Sequence, residues 1–138
     1  MNPVIHFEMP YEDSQRMARF YETAFGWKTQ ALGEAMGNYV TAATSPTGPA
    51  GPTQPGSING GFYARQAGMP EQHPSVVIAV EDIHRAMQEV RSAGGQVLGE
   101  PMEIPGIGHY VSFMDTEKNR VSMLQPLPRA AGQQQVPG

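Results

Sequence analysis

The stretch VIHFEMPYEDSQRMARFYETAFGW, Val4–Trp27, decides the fold of the chain. Up to Met9 it alternates between two sets of residues, as expected of a β-strand, whose successive side chains point to opposite faces. The apolar set comprises Ile5, Phe7 and Met9, and the mixed set comprises Val4, His6 and Glu8. We expect the apolar set to meet a helix and His6 and Glu8 to line the other face of the sheet.

From Asp13 onward the apolar residues recur with the period of a helix. They form one stripe, which consists of Met17, Phe20, Tyr21, Ala24 and Phe25. Asp13 or Ser14 is placed to accept hydrogen bonds from the first-turn amides, and Gly26 suits a left-handed cap at the helix end. The stretch therefore predicts a strand followed by an amphipathic helix that packs on a sheet.

The same pattern restarts in SVVIAVEDIHRAMQEVRSAGG, residues 75–95. A constant shift along the chain places Ser75 on His6, Asp82 on Asp13 and Gly95 on Gly26, which indicates an internal duplication. Here the residues expected to meet the second helix are Val76, Ile78 and Val80, followed in the last strand by Val121 and Met123.

The remaining strands complete two βαβββ modules. They are expected at Trp27–Ala31, Asn38–Thr44, Ile58–Arg65, Gln96–Ile104, His109–Met114 and Val121–Gln125. Pro101 makes its strand an edge strand or two short pieces. The expected organisation is one domain over residues 1–126, with modules at about 4–65 and 75–126, a linker at 66–74 and a flexible tail at 127–138.

The segment SPTGPAGPTQPG, Ser45–Gly56, is too rich in proline and glycine for a regular element. It is expected to be a mobile loop, either a lid over a site or a plain insertion. The paired glycines in INGGFYAR, residues 58–65, suggest a bulge or a close approach of another group to the backbone.

Composition excludes several classes of function. The chain has 138 residues, a formal net charge of −4 and nine Lys plus Arg, which leaves no basic surface for nucleic acid. It contains no cysteine, so disulfides, thiolate metal sites and cysteine nucleophiles are excluded. No apolar run approaches the ~20 residues needed to span a bilayer, and no signal peptide precedes the first strand. We expect a cytoplasmic protein with no membrane partner.

The chain resembles the vicinal oxygen chelate superfamily, which includes glyoxalase I, bleomycin-resistance proteins and extradiol dioxygenases. The residues that carry the resemblance are the His6 strand with ARFYETAFGW, the SVVIAVEDI restart and the closing FMDTEKNRVSMLQP. It implies an α+β fold in which two tandem βαβββ modules form a cupped mixed sheet, with the ligand in the cup between them. It also implies pairing of modules, so we expect a homodimer.

In the metal-dependent members of this superfamily, four inner strands each supply one His, Glu or Gln ligand. By resemblance the first position falls on His6, the second near Gly60 or Gly61, the third on Ser75 and the fourth on Ser122. Only His6 is a metal-binding side chain, and serine hydroxyls are poor substitutes for imidazole or carboxylate. No cofactor is therefore expected, and His6 is the one family ligand available if a divalent metal is present.

Two hypotheses on function follow. The first is a metal-free small-molecule binder in the manner of the bleomycin-resistance proteins, with ligand contacts from His6, Glu8, Ser75, Val77, Ser122 and Leu124. The second is a metal- or acid/base-dependent enzyme of the lyase, isomerase or dioxygenase type, in which His6 and Glu8 are catalytic. The identity of the ligand or substrate does not follow from the sequence.

Overall fold

The computed structural model describes residues 1–69 and 72–128 of the chain. The expected tail at 127–138 therefore lies outside the described residues except for its first two positions, and the expected linker is described without residues 70 and 71. The chain forms two compact units. The N-terminal unit is His6–Pro74, and the C-terminal unit is Met1–Ile5 together with the described residues from Ser75 onward.

The N-terminal unit contains one helix and a four-stranded sheet. In chain order its elements are β1 (Val4–Tyr11, of which the first two residues belong to the C-terminal unit), α1 (Ser14–Phe25), β2 (Lys28–Ala31), a short 3-10 helix (Glu34–Met36), β3 (Val40–Ala43), β4 (Thr47–Gly48), β5 (Gly51–Pro52) and β6 (Asn59–Ala64). The strand order is β2-β3-β6-β1. The β2–β3 and β3–β6 pairs are antiparallel, and β6 returns parallel to β1.

The C-terminal unit repeats this arrangement. Its elements are β7 (Ser75–Ala79), α2 (Ile83–Ser92), β8 (Gln96–Ile104), β9 (Gly108–Met114) and β10 (Arg120–Pro126). The strand order is β7-β10-β9-β8, with β10 parallel to β7 and antiparallel to β9. Both units are thus βαβββ modules, and the expected α+β fold class is confirmed.

The face prediction for β1 is correct from Phe7 onward. Phe7 and Met9 pack on α1 and on a buried cluster that consists of Val40, Ala42 and Phe62. Ile5 was expected to join them, but 37% of its surface is exposed. Pairing of β1 with β6 begins only at His6, so Ile5 lies beyond the paired strands and does not contact this core.

The second module shows the same pattern. Ile78, Val80 and Met123 lie in the core under α2, as expected, together with Ile83, Met87 and Val111. The prediction for Val76 is wrong, since 36% of its surface is exposed. Val121 is half-buried and is not part of this core. Alternation alone therefore overestimates burial at the ends of a strand.

The two helices have the same kind of N-terminal cap but are buried differently. The Asp13 carboxylate accepts from the backbone N of Arg16 at 3.0 Å, Asp82 accepts from the N of Arg85 at 3.1 Å, and Gly26 has a φ of 72°. Helix α2 buries Ile83 and Met87 completely, whereas α1 has no fully buried residue.

The apolar stripe predicted for α1 is only partly buried. Met17 and Tyr21 reach the core, whereas Phe20 and Phe25 are 57% and 64% exposed. The rings pack on one another instead: Phe20 and Tyr21 have centroids 5.0 Å apart, and Tyr21 stacks on Trp27 at 4.6 Å. Tyr21 lies 5.3 Å from Phe62 and connects this group of rings to the core.

The segment Ser45–Gly56 contains regular structure, contrary to expectation. The short strands β4 and β5 pair within it, and Thr53 donates from its backbone N to the Pro46 carbonyl at 3.0 Å. The absence of regular structure was wrongly expected because strands of two residues fit between the prolines, whereas the mobility of the segment stays a prediction. Asn59 donates from Nδ2 to Thr47 Oγ1 at 2.9 Å and so ties the hairpin to β6.

Of the two alternatives expected for the strand of Pro101, an edge strand is confirmed. Strand β8 lies at the edge of its sheet, and its pairing with β9 shifts register between Leu98 and Met102. Gly99, in this irregular stretch, has a φ of 97°, a conformation that glycine adopts readily.

Candidate functional site

The face of the N-terminal sheet that turns away from α1 is polar. Residues paired directly across neighbouring strands share a face. His6 is paired with Asn59, and Glu8 is paired with Gly61, which is in turn paired with Thr41. The polar face of the N-terminal unit consists of His6, Glu8, Tyr39, Thr41 and Asn59.

Three side chains of the polar face form a hydrogen-bonded chain. The Tyr39 hydroxyl donates to Glu8 Oε2 at 3.0 Å, and His6 Nε2 lies 3.1 Å from the Tyr39 oxygen. Glu8 is 9% exposed, and a carboxylate with so little access to water is retained where it has hydrogen-bond partners. The structure therefore brings together the two candidate catalytic residues, His6 and Glu8, through a third residue.

Gly61 makes room for this third residue. A Cβ built on Gly61 would overlap the aromatic ring of Tyr39, so only glycine lets the phenol lie this close to β6. Gly60 is the counterpart on the opposite face, where a Cβ would overlap the ring of Phe7. The paired glycines thus serve close approach, one of their two expected roles. Neither has a positive φ, and the β1–β6 register runs through them without a bulge.

Burial makes His6 a weaker base than usual. Loss of water around the imidazole lowers the pKa of His6 from 6.5, and the nearby Glu8 carboxylate opposes the change without cancelling it. The imidazole is therefore neutral at pH 7. A neutral imidazole next to a hydrogen-bonded phenol and carboxylate can accept or relay a proton.

Strands β7 and β10 place the other predicted ligand contacts in the C-terminal unit. Ser122 is paired with Val77 on one side and with Ser112 on the other, so these residues share the face away from α2. Ser122 Oγ lies 2.6 Å from the Tyr110 hydroxyl and 2.9 Å from Ser112 Oγ. Val77 and Ser122 are each 2% exposed, and the other two contacts, Ser75 and Leu124, are half-buried.

The donor set does not fit a divalent metal. Within residues 1–69 and 72–128 there is no group of three or more His, Asp and Glu side chains that could hold one. His6 Nε2 is engaged with Tyr39, and the third and fourth family positions are serine hydroxyls. Among the described residues, the polar face offers an imidazole, a phenol and a carboxylate.

The other imidazoles are not part of the polar face of the N-terminal unit. In β9, His109 is on the same face as Val111, which lies in the core under α2. Tyr110 and Ser112 are on the opposite face. Its partner Gln125 has a structural role, since Gln125 Oε1 accepts from the N of Ile83 at 2.9 Å at the start of α2. His73 and His84 are exposed.

The N-terminal unit also has an open cavity of about 550 Å³, but it lies on the α1 side of the sheet. Met9, Met17 and Phe62 form its apolar wall, and Arg16 and Arg65 lie at its polar end. Arg65 is already engaged, with its Nε 3.7 Å from Glu12 and one Nη donating to the Gln72 carbonyl at 3.1 Å. This cavity is therefore separated by the sheet from the chain of His6, Tyr39 and Glu8.

Tyr39 is the site residue that the sequence reasoning missed. Strand propensity alone predicts Tyr39 within a strand, and it lies just before β3. A signal was present, because a Gly-Gly pair on a neighbouring strand indicates that a bulky group approaches the backbone. Identifying that group as Tyr39 required the β3–β6 register.

Comparisons with known proteins agree with this fold. A family model described as the Glyoxalase/Bleomycin resistance protein/Dioxygenase superfamily matches residues 4–123. A glyoxylase-like domain-containing protein of Didymella fabae is 31% identical over 115 residues, covering 81% of this chain and 84% of that protein. A candidate glyoxylase of Mycobacterium bovis, CFP32, is 29% identical over 111 residues, covering 80% of this chain but only 39% of that protein.

Solved structures are similar in fold at low sequence identity. Methylmalonyl-CoA epimerase of Mycobacterium tuberculosis superimposes with a TM-score of 0.62 at 14% identity, covering 91% of this chain and 88% of that one. The Streptomyces coelicolor epimerase in complex with 2-nitronate-propionyl-CoA gives 0.67 at 12% identity, with 95% and 99% covered. A hypothetical protein of Bacillus halodurans gives 0.65 at 14% identity, with 94% and 97% covered. At such identities the likeness shows the fold alone.

Proposed function

The chain belongs to the glyoxalase/bleomycin resistance protein/dioxygenase superfamily, and on that premise we propose that it is a metal-independent small-molecule binder. The ligand is held at the polar face of the N-terminal unit, with His6 and Glu8 as contacts and Tyr39 between them. Ser75, Val77, Ser122 and Leu124 are proposed as the corresponding contacts of the C-terminal unit. The observation that supports this proposal most is the hydrogen-bonded chain of His6, Tyr39 and Glu8.

The side chains at the four ligand positions of the family support metal independence. Zinc and nickel sites need three or four imidazole, thiolate or carboxylate ligands, whereas the family positions retain only His6. We expect freshly purified protein to carry no stoichiometric transition metal and its Tm to be nearly unchanged by added zinc or nickel. A ligand at a hundredfold excess over its Kd would stabilise the fold by about 2.7 kcal/mol, a shift of several degrees. Near-stoichiometric metal that is lost in His6→Ala would refute metal independence.

A native mass spectrum of freshly purified protein tests ligand capture directly. On the binder proposal it shows a mass above that of the chain alone, and His6→Ala reduces the bound fraction while the circular dichroism spectrum stays native. His84→Ala is the matched control, because His84 is an exposed imidazole at the start of α2. Equal loss of bound mass in both variants would argue against the polar face as the site.

The alternative is acid/base catalysis by His6 and Glu8, and the neutral imidazole of His6 supports it. Because solved neighbours include a methylmalonyl-CoA epimerase in complex with methylmalonyl-CoA, that thioester is a suitable probe. An enzyme of this kind would incorporate deuterium into the probe in D₂O, and His6→Gln would abolish the incorporation. A binder would leave the probe unlabelled.

We also propose that the protein is a cytoplasmic homodimer. Strands β2 and β8 are edge strands, whose outer backbone groups are not paired within the sheet. Symmetric pairing of two copies is the commonest way in which small chains associate. In the described part of the chain, no helix has the length and apolar character to span a membrane.

A further inference from the structure

The hydrogen-bonded chain of His6, Tyr39 and Glu8 can be assigned a direction by counting protons. A phenol has one hydroxyl proton, and in this structure Tyr39 donates it to Glu8 Oε2. A carboxylate only accepts, so the proton cannot come from the other side. The contact of 3.1 Å between the Tyr39 oxygen and His6 Nε2 therefore needs its proton from the imidazole.

That requirement selects one of the two neutral forms of His6. A neutral imidazole carries its proton on one nitrogen and a lone pair on the other. With the proton on Nε2, directed at Tyr39, the lone pair lies on Nδ1. In the described residues, the hydrogen bond that orients the ring is the one to Tyr39, and it is made by Nε2.

We propose that Tyr39 is a positioning residue that fixes His6 in the tautomer protonated on Nε2, so that Nδ1 is the hydrogen-bond acceptor that the polar face offers to its ligand. The ligand is then a small molecule that presents a hydroxyl, amide or other N–H or O–H donor to His6. The statement about the ligand rests on the proposed function, whereas the statement about the tautomer concerns the free protein.

Glu8 and Gly61 both help to position Tyr39 against His6. Glu8 holds the phenolic proton and thereby orients the Tyr39 oxygen as an acceptor toward His6. Gly61 lets the ring of Tyr39 lie close enough for both contacts, because any Cβ there would overlap it. This arrangement also explains why the nitrogen that faces Tyr39 is a poor metal ligand, since a protonated nitrogen has no free lone pair.

Nitrogen-15 NMR of the full-length labelled chain tests the tautomer without any ligand. Long-range correlations from the ring carbon protons distinguish a protonated nitrogen from one with a lone pair, and loss of one spin system in His6→Gln assigns the signal. We expect Nε2 to be of the protonated type and Nδ1 of the lone-pair type at neutral pH. A His6 protonated on Nδ1 in the wild-type protein would overturn the proposal.

Variants show whether Tyr39 sets this preference. In Tyr39→Phe the ring loses the acceptor for Nε2–H, and we expect the two tautomers to become mixed. Tyr11→Phe is the matched control: it also removes a phenolic hydroxyl of the N-terminal unit, one that donates to the Asn38 carbonyl at 2.7 Å, but it leaves His6 untouched. An unchanged tautomer in Tyr39→Phe, or the same mixing in Tyr11→Phe, would refute the positioning role.

The donor requirement is tested with phenol and anisole, which are similar in shape but differ in one O–H. We expect phenol to shift the Nδ1 signal of His6 in a concentration-dependent way and anisole at equal concentration to leave it in place. Equal responses to both probes, or no response to phenol, would overturn the donor requirement. Because the tautomer is measured in the free protein, a correct tautomer with no capture of any ligand would count against the proposed function and the donor requirement but not against the positioning role of Tyr39.

Discussion

At the scale of single residues, Gly61 decides whether Tyr39 can occupy its place. A methyl group at position 61 would overlap the phenol ring, and overpacking of this kind costs about 1–3 kcal/mol. We therefore expect Gly61→Ala to lower the free energy of unfolding by that amount in urea titrations. Gly48→Ala is the control, since a Cβ there meets Thr53 only at an ordinary 3.5 Å.

A double variant checks that the ring is the cause. If Gly61→Ala acts by displacing the phenol, the same change made in a Tyr39→Ala background should cost much less. Additive losses in the two variants would mean that the methyl group clashes elsewhere, because residues in direct contact are coupled whereas independent ones add.

His6 should make the stability of the fold depend on pH. Its pKa in the folded state is lowered below the ordinary 6.5, so the unfolded state binds the proton more readily. The contribution is therefore complete above pH 6.5 and is lost as the pH falls from there toward the lowered pKa. Urea titrations across this window should show a smaller loss of stability in His6→Gln than in the wild type, and identical curves would contradict the assigned burial effect.

At the scale of the elements, the aspartate at the start of α2 should matter for stability. Asp82 accepts from the N of Arg85, and removal of such a cap costs about 1 kcal/mol. We expect Asp82→Ala to lose that amount in chemical denaturation and Asp82→Asn, which retains an acceptor, to lose less. A loss as large in Asp82→Asn as in Asp82→Ala would show that the charge, not the hydrogen bond, is responsible.

The two helices should respond differently to truncation of their apolar side chains. Met87 of α2 is buried against the sheet, and replacement of a buried methionine by alanine costs about 2–5 kcal/mol. Phe25 of α1 is 64% exposed, so Phe25→Ala should cost clearly less although its side chain is larger. Equal losses, measured as free energies of unfolding, would mean that Phe25 is covered in solution, for example by a second copy of the chain.

The elements were predictable from sequence where a period persists. Alternation placed Phe7 and Met9 under α1, and the capping residues Asp13 and Asp82 marked both helix starts. Alternation failed at Ile5 and Val76, since it does not show where the neighbouring strand begins to pair. The hairpin of β4 and β5 was missed because its stability depends on contacts such as that between Asn59 and Thr47 rather than on propensity.

The candidate site was predictable only in part, for a related reason. His6 and Glu8 share a face by simple alternation within one strand, so the sequence alone pairs them. Tyr39, which links them, comes from another part of the chain. Alternation within one strand does not predict which tyrosine of another segment contacts it. Hydrogen-bonded networks of this kind depend on the register between strands, so they can be identified only once the fold is known.

At the scale of the whole molecule, the proposed homodimer predicts a mass of two chains. We expect multi-angle light scattering to give that mass at tens of micromolar protein, because the chain leaves sheet edges and two phenylalanines of α1 exposed. A mass of one chain over the same range would contradict the proposal. Phe20→Ser then locates the contact, since a shift toward one chain in this variant would place α1 at the interface.

The glycine at position 61 also limits how this protein can change. The resemblance implies a metal ligand in this stretch of the metal-dependent members, whereas here the position has no side chain and the ring of Tyr39, just before β3, fills the space. A carboxylate introduced at 61 would meet the ring of Tyr39 before it could reach an ion. Recovery of metal chemistry would therefore need the phenol to be removed first, and that first step breaks the link between His6 and Glu8 before any new ligand is in place. A designer who wants metal chemistry in this fold would therefore have to replace Tyr39 and Gly61 together, and would also have to supply ligands at the positions of Ser75 and Ser122.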